Sequence, residues 1–449
     1  MSAPAKPEAP GGPARNTLYT FIESVATLGG RLLLILLISR VNGPAAQGEF
    51  TLFITIQTVG STLASLGLEP ANMYWGSKLG SRSARGALFG NSLLVTAVLG
   101  LVAVVSLHIL DRCAVFSAAF TPVEEWLLAV VVWVTTVSLP IAGLACAFDD
   151  FRARCIGIVV QNGLTALATA ILLATGHFEL TAVLAAWALG CAVCALIWAA
   201  AVWTKTDGLA LRWRLALRQI RMGWRTCGYF VLGVMTMRLD TLVVGSLLGL
   251  EALGIYSIAA AAAEVFLLFP RSLVNATLTR SAAPGKPFDI VQVLQLLGAF
   301  LAVPMLLAAV VVPIALELLF GPRFHGVGFL SIVMLPGVYL FGLGTTSIYY
   351  LFGQGRSGAA LLASFIGAVA KVAFSLALIP PLGTFGAALA SSLAYALFAA
   401  VGLGALARHQ ETSIGKILTP DFGLASRLAI RLMRRWRVLD DTPSSGGSL

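Results

Sequence analysis

The sequence predicts an all-α membrane protein in which about twelve transmembrane helices form two pseudo-symmetric six-helix bundles. Three observations predict this class. Hydrophobic residues make up 58% of the 449-residue chain and charged residues only 11%, with a mean hydropathy of +0.90, whereas a soluble domain carries about 25% charged residues. Basic residues are concentrated in alternate loops between the apolar segments, and glycine motifs recur at a nearly constant offset along the chain.

Twelve apolar segments are long enough to cross a bilayer, since a transmembrane helix needs about 20 residues. The predicted spans are 18–41, 50–75, 87–110, 126–148, 156–175, 180–203, 227–249, 252–272, 290–320, 327–352, 357–380 and 383–406. The ninth contains Pro304 and Pro313. It is predicted to be tilted or kinked, because proline removes an internal helix hydrogen bond.

The positions of the basic residues predict the orientation of the chain. With the N-terminus in the cytoplasm, 24 of the 30 lysines and arginines fall in cytoplasmic segments, and two, Arg112 and Arg323, fall in outside loops. This asymmetry follows the positive-inside rule and predicts that both termini are cytoplasmic. It also accounts for the net charge of +10, so we expect no nucleic-acid partner.

Turn motifs rich in glycine repeat in the two halves of the chain. The matched positions are Gly43 and Gly249, Gly48 and Gly254, Phe50 and Tyr256, and, in a Gly-x-Phe motif, Gly176 and Gly383. The offset is 206 residues for the first three pairs and 207 for the last. Recurrence at nearly one offset predicts two halves of like topology, related by an axis along the membrane normal.

This pattern divides the chain into five segments. They are a disordered cytoplasmic tail (1–17), an N-terminal six-helix bundle (18–203), a basic amphipathic cytoplasmic linker (204–226), a C-terminal six-helix bundle (227–406) and a basic cytoplasmic tail with an amphipathic helix (407–449). In the linker, Arg214, Arg218 and Arg221 recur at helical spacing, and Leu217 and Trp224 occupy another face. Two interpretations stay open: a topology anchor on the inner leaflet, or a docking site for lipid or a partner.

Three cations, Arg31, Arg238 and Lys371, lie near the middle of predicted spans. A charge at that depth costs about 2.5–3.5 kcal/mol on insertion scales, so it is expected to face a wet cavity or a partner. We therefore predict that these residues bind an anionic substrate. The alternatives are that Arg238 pairs with Glu264 or Glu23, that Arg31 pairs within the N-terminal half, and that Lys371 lies in the polar core of the C-terminal half.

The intramembrane carboxylates Asp240, Glu264 and Glu23 are candidates for ion coupling or for charge compensation. Asp240 follows Arg238 by two residues. On a helix their side chains point about 200° apart, so they cannot simply neutralise each other. The sequence contains no metal-binding, catalytic or nucleotide-binding motif. We therefore expect no enzymatic activity and no cofactor, and transport driven by H⁺, Na⁺, the membrane potential or the substrate gradient.

Several stretches carry a family resemblance. Arg238-Leu-Asp240 and the later Gly254-Ile-Tyr256 resemble an Arg-x-Asp span followed by a Gly-x-Tyr turn. Further matches are Gly48-Glu49-Phe50, Leu319-Phe320-Gly321-Pro322-Arg323-Phe324, Gly353-Gln354-Gly355-Arg356 and the stretch from Ile379 to Ala388. Together they resemble the polysaccharide (Wzx-type) flippases of the multidrug/oligosaccharidyl-lipid/polysaccharide exporter superfamily, which includes MATE exporters. The resemblance covers residues 18–406.

This resemblance implies a MATE-like, V-shaped pair of bundles that alternates between inward-open and outward-open states. It implies that the cargo is an undecaprenyl-pyrophosphate-linked glycan, moved to the periplasmic leaflet of the bacterial inner membrane for O-antigen or another surface polysaccharide. The bilayer and the polysaccharide polymerase and export machinery are the implied partners. Two rival functions stay open: a cation-coupled multidrug exporter of the same fold, and a membrane polysaccharide polymerase or ligase.

Overall fold

The computed structural model describes residues 13–112, 119–273, 277, 289–423 and 427. Its α-helices are α1 (Pro13–Val41), α2 (Pro44–Ala64), α3 (Leu68–Lys78), α4 (Arg82–Arg112), α5 (Pro122–Ala147), α6 (Phe151–Ala174), α7 (Leu180–Trp203), α8 (Trp213–Glu264), α9 (Ile290–Phe320), α10 (Val327–Gly353), α11 (Ser357–His409) and α12 (Ile414–Leu418). Within the described ranges there is no β-strand. Nine of these helices are long and apolar enough to cross a membrane, or ten if α2 and α3, which meet at a 50° bend, form one span. The predicted all-α membrane class is confirmed.

Two of the helices, α8 and α11, each contain two antiparallel spans. In α8 the backbone leaves helical geometry at Gly249 (φ 85°), and the Tyr256 hydroxyl on the second arm donates to the Asp240 carboxylate on the first. In α11 the break is at Gly383 (φ 59°), and the two arms are joined by a 2.7 Å hydrogen bond from Lys371 to Ser391. With both helices divided and α2–α3 taken as one span, the described residues contain the twelve predicted spans.

The chain termini differ in part from the predicted segments. Residues 1–12 of the predicted tail lie outside the described residues, and residues 13–17 already belong to α1. The predicted C-terminal amphipathic helix falls almost entirely on residues 424–426 and 428–449, which also lie outside the described residues. The linker helix continues without a break into the seventh span as the first part of α8.

The linker helix is held against the N-terminal lobe (α1–α7) by polar side chains. The Gln219 amide is 1% exposed and donates to Asn72 at 2.7 Å and to Ser92 at 3.1 Å. Asn91 donates to the Gln219 carbonyl at 3.2 Å. These contacts join helices, the more common use of buried amides inside membrane bundles. On the other side of the linker helix, Trp224 is 70% exposed.

The repeat seen in the sequence is present in the backbone as well. Gly43 has φ 88° and ψ −173°, and Gly249 has φ 85° and ψ 177°. These are the same conformation, which glycine adopts readily because it has no Cβ. It starts the second span in the N-terminal lobe and the eighth span in the C-terminal lobe (α8–α11). The predicted pseudo-symmetry is confirmed at this turn.

The two lobes are in close backbone contact where these repeated turns meet. A Cβ added at Gly48 would overlap the backbone carbonyl of Leu250, and a Cβ added at Gly254 would overlap the carbonyl of Pro44. Pro44 and Leu250 are themselves 206 residues apart, so the two contacts are pseudo-symmetry mates. We name this contact of Pro44, Gly48, Leu250 and Gly254 the glycine crossing.

The glycine crossing lies at one end of the bundle, which we name the Gly43 end; the opposite end, with the Lys78–Arg82 turn, is the Lys78 end. Two further contacts close the lobes at the Gly43 end. The Gln47 amide donates to Ser257 at 3.3 Å. The Arg40 guanidinium of the N-terminal lobe donates to the last carbonyls of α9, including that of Leu318 at 2.8 Å. The structure is therefore closed between the lobes at the Gly43 end.

Replacing Gly254 with valine should prevent this closure. A side chain there meets backbone rather than a flexible side chain, and overpacking costs about 1–3 kcal/mol, so the ratio of closed to open protein should fall about 5- to 150-fold. The rate of disulfide formation between Gln47→Cys and Ser257→Cys measures this ratio. Cys113, which the sequence places in an outside loop, is replaced by serine in this background. Gly233→Ala is the matched control, because nothing lies within 4 Å of its added Cβ. Equal disulfide rates in the two variants would contradict the prediction.

Candidate functional site

A positively charged cluster spans the two lobes. Arg31 of α1 lies within electrostatic range of Arg238 on the first arm of α8, of Glu264 on the second arm, and of Arg271 just beyond it. The Arg238 Nη2 and Glu264 Oε2 atoms are 3.4 Å apart, and these side chains are 18% and 11% exposed. Arg31 thus interacts with two further guanidinium groups and one carboxylate. We name these four residues the interlobe cationic cluster.

Arg31 retains the most free hydrogen-bonding capacity in this cluster. It is partly exposed, and in the described part of the chain no acid lies within 4.0 Å of it and no hydrogen bond to its side chain is formed. Arg271 is exposed and donates only to the weak acceptor Met237 Sδ, at 3.6 Å, among the residues that the structure describes. A guanidinium offers five donors in a planar fork that matches phosphate oxygens. The cluster therefore presents unused donors suited to an anion.

Lys371 lies in a different environment, in the polar core of the C-terminal lobe. Its ammonium is 0% exposed and lies 2.7 Å from Asp240 Oδ2 and 2.7 Å from Ser391 Oγ. Tyr256 and Ser391 both donate to the same Asp240 oxygen, and Lys371 Nζ lies 4.5 Å from the centroid of the Tyr395 ring. In this conformation the ammonium is not accessible to a substrate. The structure therefore matches the alternative interpretation, in which Lys371 lies in the polar core of the C-terminal half.

The two opposite charges on the first arm of α8 face different neighbours, as helical geometry requires for side chains two residues apart. Arg238 faces Glu264 across the hairpin, and Asp240 faces Lys371 on α11. Lys371 is still within electrostatic range of Glu264 and Arg238. The buried pair and the interlobe cationic cluster therefore belong to one charge network.

Glu23 pairs with a residue that was not among the predicted site residues. Arg154 Nε lies 3.2 Å from Glu23 Oε1, and Arg154 Nη1 lies 3.1 Å from Glu69 Oε1. This guanidinium joins α1, α3 and α6. The sequence alone places Arg154 in a cytoplasmic loop, so nothing in it indicates a bridging role.

Each of the three predicted coupling carboxylates thus has a cationic neighbour: Lys371 for Asp240, Arg238 for Glu264 and Arg154 for Glu23. This is the geometry expected for charge compensation. Ion coupling through these residues stays a prediction.

A further acidic pair lies at the Gly43 end. The Glu49 carboxyl group on α2 lies within electrostatic range of the Glu124 carboxyl group on α5. Glu124 forms a capping box with Thr121. The sequence signal that was available is the motif Thr-Pro-Val-Glu at 121–124, which matches the capping-box pattern. Nothing in the sequence indicates that Glu49 approaches it.

Two comparisons of the sequence with known proteins both find polysaccharide biosynthesis proteins. A family model described as polysaccharide biosynthesis protein matches residues 14–285. The amylovoran biosynthesis protein AmsL of Erwinia amylovora is 33% identical over 131 residues, which is 26% of this chain; the chain covers 32% of that relative's length.

Solved structures share the fold over nearly the whole chain. The lipid II flippase MurJ in an inward closed conformation has a TM-score of 0.70 at 13% identity, covering 96% of this chain and 93% of that one. An inward-facing multidrug resistance MATE family transporter of the MOP superfamily has a TM-score of 0.69 at 15% identity, covering 89% and 96%. These likenesses confirm the predicted MATE-like fold.

Proposed function

The chain belongs to the polysaccharide biosynthesis protein family, and from this premise we propose that it is a secondary-active flippase. Its proposed cargo is an undecaprenyl-pyrophosphate-linked oligosaccharide, moved from the cytoplasmic to the periplasmic leaflet for the synthesis of a surface polysaccharide. The interlobe cationic cluster is the observation that supports this cargo, because a pyrophosphate is the anion that clustered guanidinium groups bind well.

Arg31 and Arg238 are the proposed ligands of the pyrophosphate. They come from different lobes, so an anion bound to both would link the lobes. In the low dielectric of the bundle such contacts are stronger than in water. Glu264 holds Arg238 in this structure, and the cargo phosphate would compete with that carboxylate. Lys371 takes no part in this proposal, because its ammonium is bound to Asp240.

The proposed mechanism is alternating access, and the closed Gly43 end supports it. The positive-inside rule places this end at the periplasmic side, so closure there supports a state that receives cargo from the cytoplasm. Opening the glycine crossing would expose the cargo to the periplasm. The isoprenoid tail would remain in lipid while the head group crosses between the lobes, which matches the apolar side chains on the outer surface, such as Leu306 (72% exposed) and Leu318 (73% exposed).

Deleting the gene should cause lipid-linked repeat units to accumulate on the cytoplasmic leaflet. Spheroplasts treated with a lectin that does not cross the membrane would then show little labelled precursor, although the total extracted precursor rises. Expression of the full chain should restore labelling. Unchanged labelling of the outer leaflet would overturn the proposal. Increased drug sensitivity without precursor accumulation would favour the multidrug exporter instead.

A further inference from the structure

The linker helix, which is the first part of α8 up to residue 226, has three faces that differ in what they contact. Successive residues of an α-helix lie about 100° apart around its axis, which determines the positions that share a face. Ala216, Gln219 and Gly223 are buried and face the N-terminal lobe. A Cβ added at Gly223 would overlap the backbone carbonyl of Leu66. This packed face therefore touches the turn before α3 without room for a side chain.

The second face is an exposed apolar stripe. Trp213, Leu217 and Trp224 are 69%, 46% and 70% exposed. At about 100° per residue, these three side chains lie within about 40° of one another around the helix axis. Large apolar side chains that are exposed together indicate a surface that contacts a membrane or a partner.

The third face is basic. Arg214, Arg218 and Arg221 lie within about 60° of one another, and the centre of this face is about 90° from the apolar stripe. All three side chains are exposed, and among the residues that the structure describes none of them forms an ion pair or a side-chain hydrogen bond. Their planar guanidinium groups therefore have donors available for phosphate oxygens beside the apolar stripe.

The depth of the linker helix in the bilayer follows from its partners. Gln219 donates to Ser92 of α4 and to Asn72, and Asn72 donates to the Pro140 carbonyl of α5 at 2.9 Å. Both α4 and α5 are apolar and long enough to cross a membrane, and Ser92 comes ten residues after Arg82, where α4 begins. The linker helix therefore lies beside membrane-spanning segments at the Lys78 end, where acyl chains meet lipid head groups.

We propose that the apolar stripe and the basic face of the linker helix form a binding site for an anionic phospholipid. The stripe enters the acyl-chain boundary, where tryptophan is favoured, and the arginines bind the phosphate of the head group. A lipid fits better than a protein partner, because the two faces lie side by side at the depth where acyl chains and head groups adjoin. The site goes beyond the proposed function, since it binds a lipid of the bilayer whether or not the chain moves a glycan.

The binding can be measured by native mass spectrometry of the full chain in detergent. The protein is titrated with phosphatidylglycerol and, separately, with phosphatidylcholine of the same acyl chains, which carries no net charge. The parent should bind phosphatidylglycerol more tightly. Replacing Arg214, Arg218 and Arg221 together with glutamine should weaken that binding by up to about 100-fold, because each arginine near an anionic lipid surface contributes about fivefold. Binding of phosphatidylcholine should not change.

Two matched variants make the result specific. Replacing three other exposed cations at the Lys78 end with glutamine removes the same charge and should preserve the selectivity; these are Lys78, Arg152 and Arg356. Replacing the three linker arginines with lysine keeps the charge and should retain most of the selectivity. The proposal would be overturned by a parent that binds both lipids equally, which would leave a protein as the occupant. It would also be overturned by a control that loses as much selectivity as the glutamine variant, or by a lysine variant that is as weak as the glutamine variant.

Two further measurements distinguish a phospholipid from a free phosphate compound. Inorganic pyrophosphate at equal concentration should not displace phosphatidylglycerol, because it makes no contact with the apolar stripe. Phosphatidylglycerol with brominated acyl chains quenches the fluorescence of tryptophans that it touches, and replacing Trp213 and Trp224 with phenylalanine should remove part of this quenching. Displacement by pyrophosphate, or quenching that these replacements leave unchanged, would refute a phospholipid as the occupant. None of these measurements uses a lipid-linked glycan, so their failure leaves the flippase proposal intact, and unchanged lectin labelling would leave the lipid site intact.

Discussion

Replacing Arg31 and Arg238 together with glutamine should abolish surface polysaccharide while leaving the amount of membrane-inserted protein near normal. A hydrogen bond to a charged group contributes about 1.5–3 kcal/mol, so losing one such contact from each arginine should reduce transport more than a hundredfold. The readout is polymer output in the deletion strain complemented with each variant. Arg356→Gln, which changes an exposed arginine in a turn at the Lys78 end, should leave output unchanged.

The single variants separate charge from geometry. Arg31→Lys keeps the positive charge but loses the planar fork, so it should retain only part of the activity. Arg238→Gln also removes the partner of Glu264. The pair Arg238→Gln with Glu264→Gln corrects for that unpaired carboxylate and should still transport poorly. Normal polymer output from the double arginine variant would refute pyrophosphate binding at this cluster.

Much of the fold can be predicted from the sequence because its main signals are local. The lengths of the apolar runs and the loop positions of the basic residues predict twelve spans. The recurrence of Gly43 and Gly48 at Gly249 and Gly254 predicts two like halves. Gly48 and Gly254 do more than open spans, since their missing side chains allow the lobes to touch. That role depends on contact between segments about 200 residues apart, which no local pattern contains.

The site was harder to predict, since helical spacing reveals the direction of a side chain and not its neighbour. The divergence of Arg238 and Asp240 follows from their spacing, whereas the choice of Glu264 over Glu23 as the partner of Arg238 depends on how α8 folds back at Gly249. The approach of Glu49 to Glu124 brings together span ends 75 residues apart. Both carboxylates lie where a solvated acid is ordinary, so the sequence alone gives no reason to pair them.

Replacing Lys371 with methionine should destabilise the protein strongly. It leaves the Asp240 carboxylate buried, with 4% of its side chain exposed, and without a cation. Breaking a buried ion pair by removing one partner costs about 3–5 kcal/mol. Thermal unfolding in detergent, followed by size-exclusion chromatography, should show a markedly lower midpoint than the parent. Ser375→Ala, on the same helix and fully buried, is the control for a small buried change.

Removing the second charge should restore most of that loss. Asp240→Asn together with Lys371→Met leaves no buried charge and keeps an oxygen that accepts from Tyr256 and Ser391, and replacing both partners of a buried pair is often neutral. A stability equal to that of Lys371→Met alone would show that the pair is not the stabilising unit. Transport by the stable double variant then separates the two interpretations of Lys371. Normal transport would assign the lysine to the internal support of the C-terminal lobe, whereas lost transport in a well-folded protein would mean that the transport cycle needs the charge of Lys371 or of Asp240.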